Sequence, residues 1–248
     1  MNHRPFQPED LREFGAFLSK ATMVCPMREV YAGRRDRMVI GLRHDVDANQ
    51  GSLEAAVNLA AWEKARGFRS TYFLLHSAPY FEDAELMRKA IWIFQECGHE
   101  IGLHNDAVAQ SLLTGEDPFD ILGHALIALV AYGAAGVTGT VAHGNQPICT
   151  DADFVNDEIW KQCKRRPDFD RTIEYRGRKV QLGEIDLAEL DLEYEAAWLP
   201  RGMYLSDSGG YWKNPGWEIT ADFPFAGQLH ILQHPDWWTQ AFGTREAA

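Results

Sequence analysis

Short apolar runs alternate with amphipathic segments along the first half of the chain. Four apolar, β-branched runs are typical of buried strands and occupy residues 38–42, 70–75, 100–104 and 137–143. Three segments with helical spacing lie between them, at residues 53–66, 84–97 and 118–132. Strands that alternate with helices in this way predict a parallel sheet with helical crossovers.

The second half of the chain is less regular. Residues 171–187 carry Gly177 and Gly183 and predict hairpins, while residues 203–208 and 228–233 predict two late strands. Neither an internal repeat nor a low-complexity linker divides the sequence. We therefore expect one α/β domain over residues 1–248.

Composition excludes several classes of protein. The chain has 248 residues, of which 46% are hydrophobic, which suits a globular core. Its net charge is -12, and the sequence lacks the basic stripe of a nucleic-acid binder. It has no run of about 18 apolar residues that would span a membrane, and its polar N-terminal segment does not resemble a signal peptide. We expect a cytoplasmic protein whose four separated cysteines are buried thiols.

Polar residues gather where the predicted strands end. Asp45 and Asp47 follow the first strand, and His76, His104 and His143 follow the next three. Parallel α/β folds place their active sites at the carboxyl ends of the strands. These residues therefore predict a site at one edge of the sheet, and a scatter of core histidines is the alternative.

Side chains alternate between the two faces of a strand, so Arg43, Asp45 and Asp47 share one face and His44 lies on the other. Two buried carboxylates need a compensating cation or metal. Arg43 supplies one positive charge, and Glu100 on the third strand is a natural further partner for it. His44, which faces away, is expected to be structural.

The same residues form a chemical set. An Asp and a His at strand ends suit a metal of the zinc class, and a second Asp suits a general base acting on water. A late histidine, His234, suits the protonation of a leaving group. The alternative for Asp45 and Asp47 is a surface turn after a strand.

The order of these motifs resembles the polysaccharide deacetylases of carbohydrate esterase family 4, which share the NodB-homology fold. The segment Gly98-His99-Glu100-Ile101-Gly102-Leu103-His104 is the most specific match. Five further segments resemble family motifs in the same order, at residues 42–47, 70–74, 141–145, 206–209 and 232–235. The resemblance covers roughly residues 38–238.

The resemblance implies a distorted (β/α) barrel of the NodB-homology type and hydrolytic removal of N-acetyl or O-acetyl groups from sugars. By position, Asp45 matches the general base, and Asp47 and His104 match ligands of a divalent metal, expected to be Zn²⁺. His234 matches the general acid, and Asp207 matches the residue that orients base and acid groups.

One position departs from the family pattern. The second metal histidine is expected four residues after His104, where this chain has Val108. The third protein ligand is therefore missing or comes from elsewhere, and His143 is the first candidate because it ends the neighbouring strand. Asp106 and His76 are the other candidates.

Substrate contacts are expected from two segments. The stretch from His143 to Asn145 is placed to hold an oxyanion through a backbone N–H. Tyr211 and Trp212 lie among glycines and suit stacking against a sugar ring. The expected cytoplasmic location favours a glycan precursor, such as one for a surface glycan or O-antigen.

Two other functions fit the same residues. An amidohydrolase that works without metal would retain hydrolysis of small amides in the absence of bound metal. A saccharide-binding pseudoenzyme would bind acetylated sugar without turnover, and Val108 favours this alternative.

Overall fold

The computed structural model describes residues 6–33, 38–48, 50–144, 147–165, 171–200, 202–212 and 227–242. The predicted strands are confirmed, and the structure adds two short strands, Met23–Cys25 and Tyr194–Glu195. The strands are β1 (Met23–Cys25), β2 (Met38–Val46), β3 (Thr71–Leu75), β4 (Glu100–Asn105), β5 (Gly139–Ala142), β6 (Thr172–Tyr175), β7 (Arg178–Gln181), β8 (Tyr194–Glu195), β9 (Met203–Ser206) and β10 (Gly227–Gln233).

Eight of these strands form one parallel sheet that curls into a half-barrel. Its order is β8-β5-β4-β3-β2-β10-β9, and β1 pairs with the beginning of β2. The predicted hairpin is the separate antiparallel pair of β6 and β7. Because every pairing in the large sheet is parallel, the carboxyl ends of its strands lie at one edge.

Helices connect the first strands, as the sequence predicts. The predicted helices at residues 53–66, 84–97 and 118–132 are observed as α3 (Gln50–Lys64), α4 (Ala84–Glu96) and α6 (Pro118–Ala131), each within a few residues of the expected bounds. In the described part of the chain no helix has the length and apolar character needed to cross a membrane. The helices are α1 (Pro8–Leu18), α2 (Met27–Tyr31), α3 (Gln50–Lys64), α4 (Ala84–Glu96), α5 (Ala107–Thr114), α6 (Pro118–Ala131) and α7 (Ile148–Asp151).

Aromatic rings fill the inside of the curl beneath the carboxyl edge. Phe73 and Tyr194 are buried there, and neighbouring strands make room for them with glycines. A Cβ at Gly102 would lie 2.3 Å from the Phe73 ring, and one at Gly139 would lie 2.3 Å from the Tyr194 ring. Gly102, the second glycine of the motif at residues 98–104, is therefore needed for packing.

The N-terminal helix packs against the 3₁₀ helix Pro235–Phe242, which follows the carboxyl end of β10. Phe6 stacks on Trp238 with ring centroids 4.2 Å apart, and the Phe6 N–H donates to the Trp237 carbonyl oxygen at 3.1 Å. Phe14 of α1 packs against Trp238 at 5.6 Å. These contacts fix the 3₁₀ helix beside the end of β10.

Candidate functional site

The carboxyl end of β2 delivers Arg43, Asp45 and Asp47 to the site. Alternation along the strand places Arg43 and Asp45 on one face, and an Arg43 guanidinium nitrogen lies 3.6 Å from Asp45 Oδ2. Both side chains are buried. Asp45 Oδ1 makes no hydrogen bond to any described residue, so this oxygen is available to accept a proton.

His44 lies on the opposite face of β2, as the alternation predicts. Its Nε2 lies 2.7 Å from Glu63 Oε1 on α3, and its ring stacks on Tyr72. Glu63 is fully buried, which would raise the pKa of its carboxyl, but His44 and the hydroxyl of Ser70 outweigh burial and lower that pKa. This hydrogen bond ties the strand that carries the site to helix α3 (Gln50–Lys64).

Glu100 does not serve as the partner expected for Arg43. Its carboxylate accepts hydrogen bonds from Thr71 Oγ1 at 2.6 Å and from Tyr194 Oη at 2.7 Å. It also accepts the backbone N–H of Arg28 at 3.0 Å. Among the described residues, Arg43 pairs with Asp45 instead.

Three side chains from separate strand ends converge at the edge of the sheet. Asp47 Oδ1 lies 3.4 Å from His104 Nε2 and 3.4 Å from His143 Nδ1, and the two nitrogens are 3.2 Å apart. In a tetrahedral zinc site with bonds of about 2.0–2.1 Å, neighbouring ligand atoms are separated by about 3.3–3.4 Å. The triangle formed by Asp47 Oδ1, His104 Nε2 and His143 Nδ1 would therefore fit one Zn²⁺-sized cation.

The orientation of His104 also suits a ligand. Its Nδ1 donates to the Val141 carbonyl oxygen at 3.0 Å, so Nε2 is the ring nitrogen that faces the triangle and that a neutral ring would offer to a metal. Burial raises the pKa of the Asp47 carboxyl, but hydrogen bonds to His104 and His143 outweigh burial and hold the pKa well below its usual range. Asp47 is therefore an anion, as a carboxylate that binds a metal must be.

Of the three candidates for the third ligand, the structure brings His143 to the triangle. His76 Nε2 instead accepts the backbone N–H of Asp106 at 2.9 Å, and burial lowers the pKa of His76 to about 4. Asp106 accepts hydrogen bonds from Ser77, Gln110 and Asn156. Val108 points into the hydrophobic core from α5.

His234 stands one residue beyond the end of β10, and a buried carboxylate orients it. Asp207 Oδ1 accepts from His234 Nδ1 at 2.7 Å and from the His234 backbone N–H at 2.9 Å. Asp207 Oδ2 accepts from Trp238 Nε1 at 2.9 Å. Burial would lower the pKa of His234, but the hydrogen bond and charge of Asp207, with the charges of Asp45 and Asp47, raise it to about 9.

Strand pairing places His234 beside Asp45. Leu232 pairs with Arg43 and Gln233 with His44 in parallel register, so the next residue of each strand follows on the same face. The imidazole of His234 and the carboxylate of Asp45 therefore lie at the same edge of the sheet as Asp47, His104 and His143.

The sequence did not predict the roles of two residues in this region. Trp238 donates its indole N–H to Asp207 from a fully buried position. Asp236 has a pKa raised to about 6 by burial and by the charge of Asp47. Both residues lie within four positions of His234. That proximity was the available signal, since a strand-end histidine marks the turn after it as part of the site.

The predicted substrate residues are placed as follows. Tyr211 is exposed, and Trp212 packs in the aromatic cluster with Phe14 at 5.7 Å and Trp238 at 6.2 Å. Asn145 lies outside the described residues. Their contacts with a substrate stay predictions.

Comparison with known proteins gives a distant likeness. No protein-family model matches the chain, and no curated protein matches it. Among solved structures it is similar to a family 4 carbohydrate esterase from Bacillus anthracis, with a TM-score of 0.37 and 11% identity over 90% of this chain and 77% of that chain.

Proposed function

We propose that this chain is a metal-dependent hydrolase that removes acetyl groups from N-acetylated or O-acetylated sugars. The observation that carries the proposal is the convergence of Asp47, His104 and His143 at the edge where Asp45 and His234 also lie. Two imidazoles and one carboxylate form a ligand set known from catalytic zinc sites.

Asp47, His104 and His143 would hold the metal, which is expected to be Zn²⁺. When bound, a zinc ion polarises a carbonyl group and lowers the pKa of water toward about 7. The ligand atoms lie at the separations that such an ion requires.

The other residues handle protons. Asp45 Oδ1, which has no hydrogen bond to a described residue, takes a proton from the attacking water. Arg43, which lies 3.6 Å from the other Asp45 oxygen, compensates the buried charge of Asp45. His234 enters the reaction protonated because Asp207 holds its Nδ1–H, and its Nε2 gives a proton to the leaving amine or alcohol.

The proposed substrate is an acetylated sugar or glycan precursor, such as one for a surface glycan or O-antigen. The motif resemblance supports the acetyl sugar. Tyr211, exposed beside the loop that follows Asp207, supports it further because an aromatic ring offers a face to a sugar.

Acetate release from N-acetylated amino sugars tests the two proton-transfer roles. We expect Asp45→Asn and His234→Ala each to lower the turnover number by about 10²–10⁴-fold, the range typical of general acid–base groups. Asp120→Asn and His124→Ala are matched controls at exposed positions and should leave the rate unchanged. Wild-type turnover in the Asp45 and His234 variants would contradict the assignment.

A further inference from the structure

Asn156 is a fully buried residue at the start of the 3₁₀ helix Asn156–Ile159, and its amide joins three elements. Its Nδ2 donates to the His143 carbonyl oxygen at 2.7 Å and to Asp106 Oδ1 at 3.2 Å. Its Oδ1 accepts the backbone N–H of Ala109 at 3.1 Å. The side chain of Asn156 therefore connects His143 to the start of α5.

His143 needs such a connection because it lies one residue beyond β5, where the regular ladder stops. Its backbone N–H donates to the Asn105 carbonyl oxygen at 2.7 Å, and its own carbonyl oxygen is held by Asn156. Asn105 in turn donates from Nδ2 to the Asn156 carbonyl oxygen at 3.2 Å. The two asparagines fix both sides of the His143 peptide unit.

His104 is oriented differently, because the Val141 carbonyl oxygen holds its ring directly. The position of the His143 ring follows from its backbone, which Asn156 holds. A donor lost from Asn156 would leave the His143 carbonyl oxygen and Asp106 Oδ1 with one partner fewer in a buried region, and such a loss is costly.

We propose that Asn156 is the positioning residue that sets His143 Nδ1 against Asp47 and His104, so that a residue outside the motif at 98–104 completes the metal site. The inference rests on the proposed function, since it requires that the triangle bind metal. The position occupied by Val108 faces the core, so the third ligand depends on the contacts of β5 with this 3₁₀ helix.

Zinc affinity of the full-length, metal-free protein tests the proposal without any substrate. Competition with a chromophoric chelator measures it for wild type, Asn156→Ala, Asn156→Asp and His143→Ala. Asparagine-to-aspartate keeps the volume and the acceptor for Ala109 but removes the donor, and it remains informative if the alanine variant fails to fold. Loss of a residue that orients a ligand typically weakens metal binding by about 10–100-fold.

A double-mutant cycle separates positioning from general loosening. If Asn156 acts through His143, Asn156→Ala weakens binding in wild type but has no further effect in the His143→Ala background. Ser70→Ala is the matched control, since Ser70 is also fully buried and hydrogen-bonded but lies on the other face of the sheet. It should lower stability and leave zinc affinity unchanged.

The measurements distinguish failure of the positioning role of Asn156 from failure of the metal site. Affinity unchanged in both Asn156 variants, additive losses in the cycle, or an equal loss in Ser70→Ala would overturn the positioning role. Wild-type protein that binds no zinc would instead overturn the proposed metal site itself.

Discussion

At the scale of single residues, the state of His234 depends on Asp207. Burial away from water lowers the pKa of a histidine. The Asp207 carboxylate, 2.7 Å from His234 Nδ1, outweighs burial and raises the pKa of His234 to about 9. His234 is therefore protonated at neutral pH, as a proton donor must be.

Asp207→Asn should lower the pKa of His234 from about 9 toward its ordinary value of about 6.5. The neutral amide no longer favours the imidazolium, while burial still disfavours it. Proton NMR titration of the metal-free protein measures this pKa, with His234→Ala to assign the resonance. A His234 that titrates near 6.5 in wild type would contradict the role given to Asp207.

Strand-end polarity sufficed to predict where the candidate residues Asp45, Asp47, His104 and His234 gather. It did not predict Asn156, because the hydrogen bonds of this residue join segments far apart in sequence. The expected pairing of Arg43 with Glu100 failed for the same reason, since Tyr194, 94 residues away, takes the Glu100 carboxylate.

At the scale of elements, periodicity predicted the long strands and helices because a buried face leaves a repeating apolar pattern. Short elements such as β8 (Tyr194–Glu195) and β1 (Met23–Cys25) carry too few residues for such a pattern. They form through pairing with β5 and β2.

Gly102→Ala should destabilise the protein by about 1–3 kcal/mol or more, because overpacking of a tight core costs that much. The new methyl group would overlap the Phe73 ring between β3 and β4. Urea denaturation measures the change. Gly123→Ala in α6 is the control, since its Cβ meets nothing within 4 Å and alanine favours a helix, so this variant should be equally or more stable. Equal stability of Gly102→Ala and wild type would show that the interior accommodates the methyl group and would contradict the packing role of Gly102.

At the scale of the whole molecule, the parallel sheet collects residues from β2, β4, β5 and β10 at one edge. A ligand that binds only the folded state stabilises it, and zinc at 100 times its dissociation constant contributes about 2.7 kcal/mol. For a chain of this size that corresponds to a rise of about 5–10 °C in Tm.

Thermal unfolding of metal-free protein with and without Zn²⁺ measures this rise. We expect Asp47→Asn and His104→Ala to abolish it, because each removes one corner of the triangle. His124→Ala, an exposed histidine on α6, is the control and should show the full rise. An equal rise in all variants would place the zinc elsewhere.

The most direct measurement is acetate release from an N-acetylated amino sugar as Zn²⁺ is added to metal-free protein. We expect negligible release without metal, a linear increase up to one equivalent per chain, and a plateau beyond it. Full activity without metal, or no acetate release at any metal concentration, would contradict the proposed function.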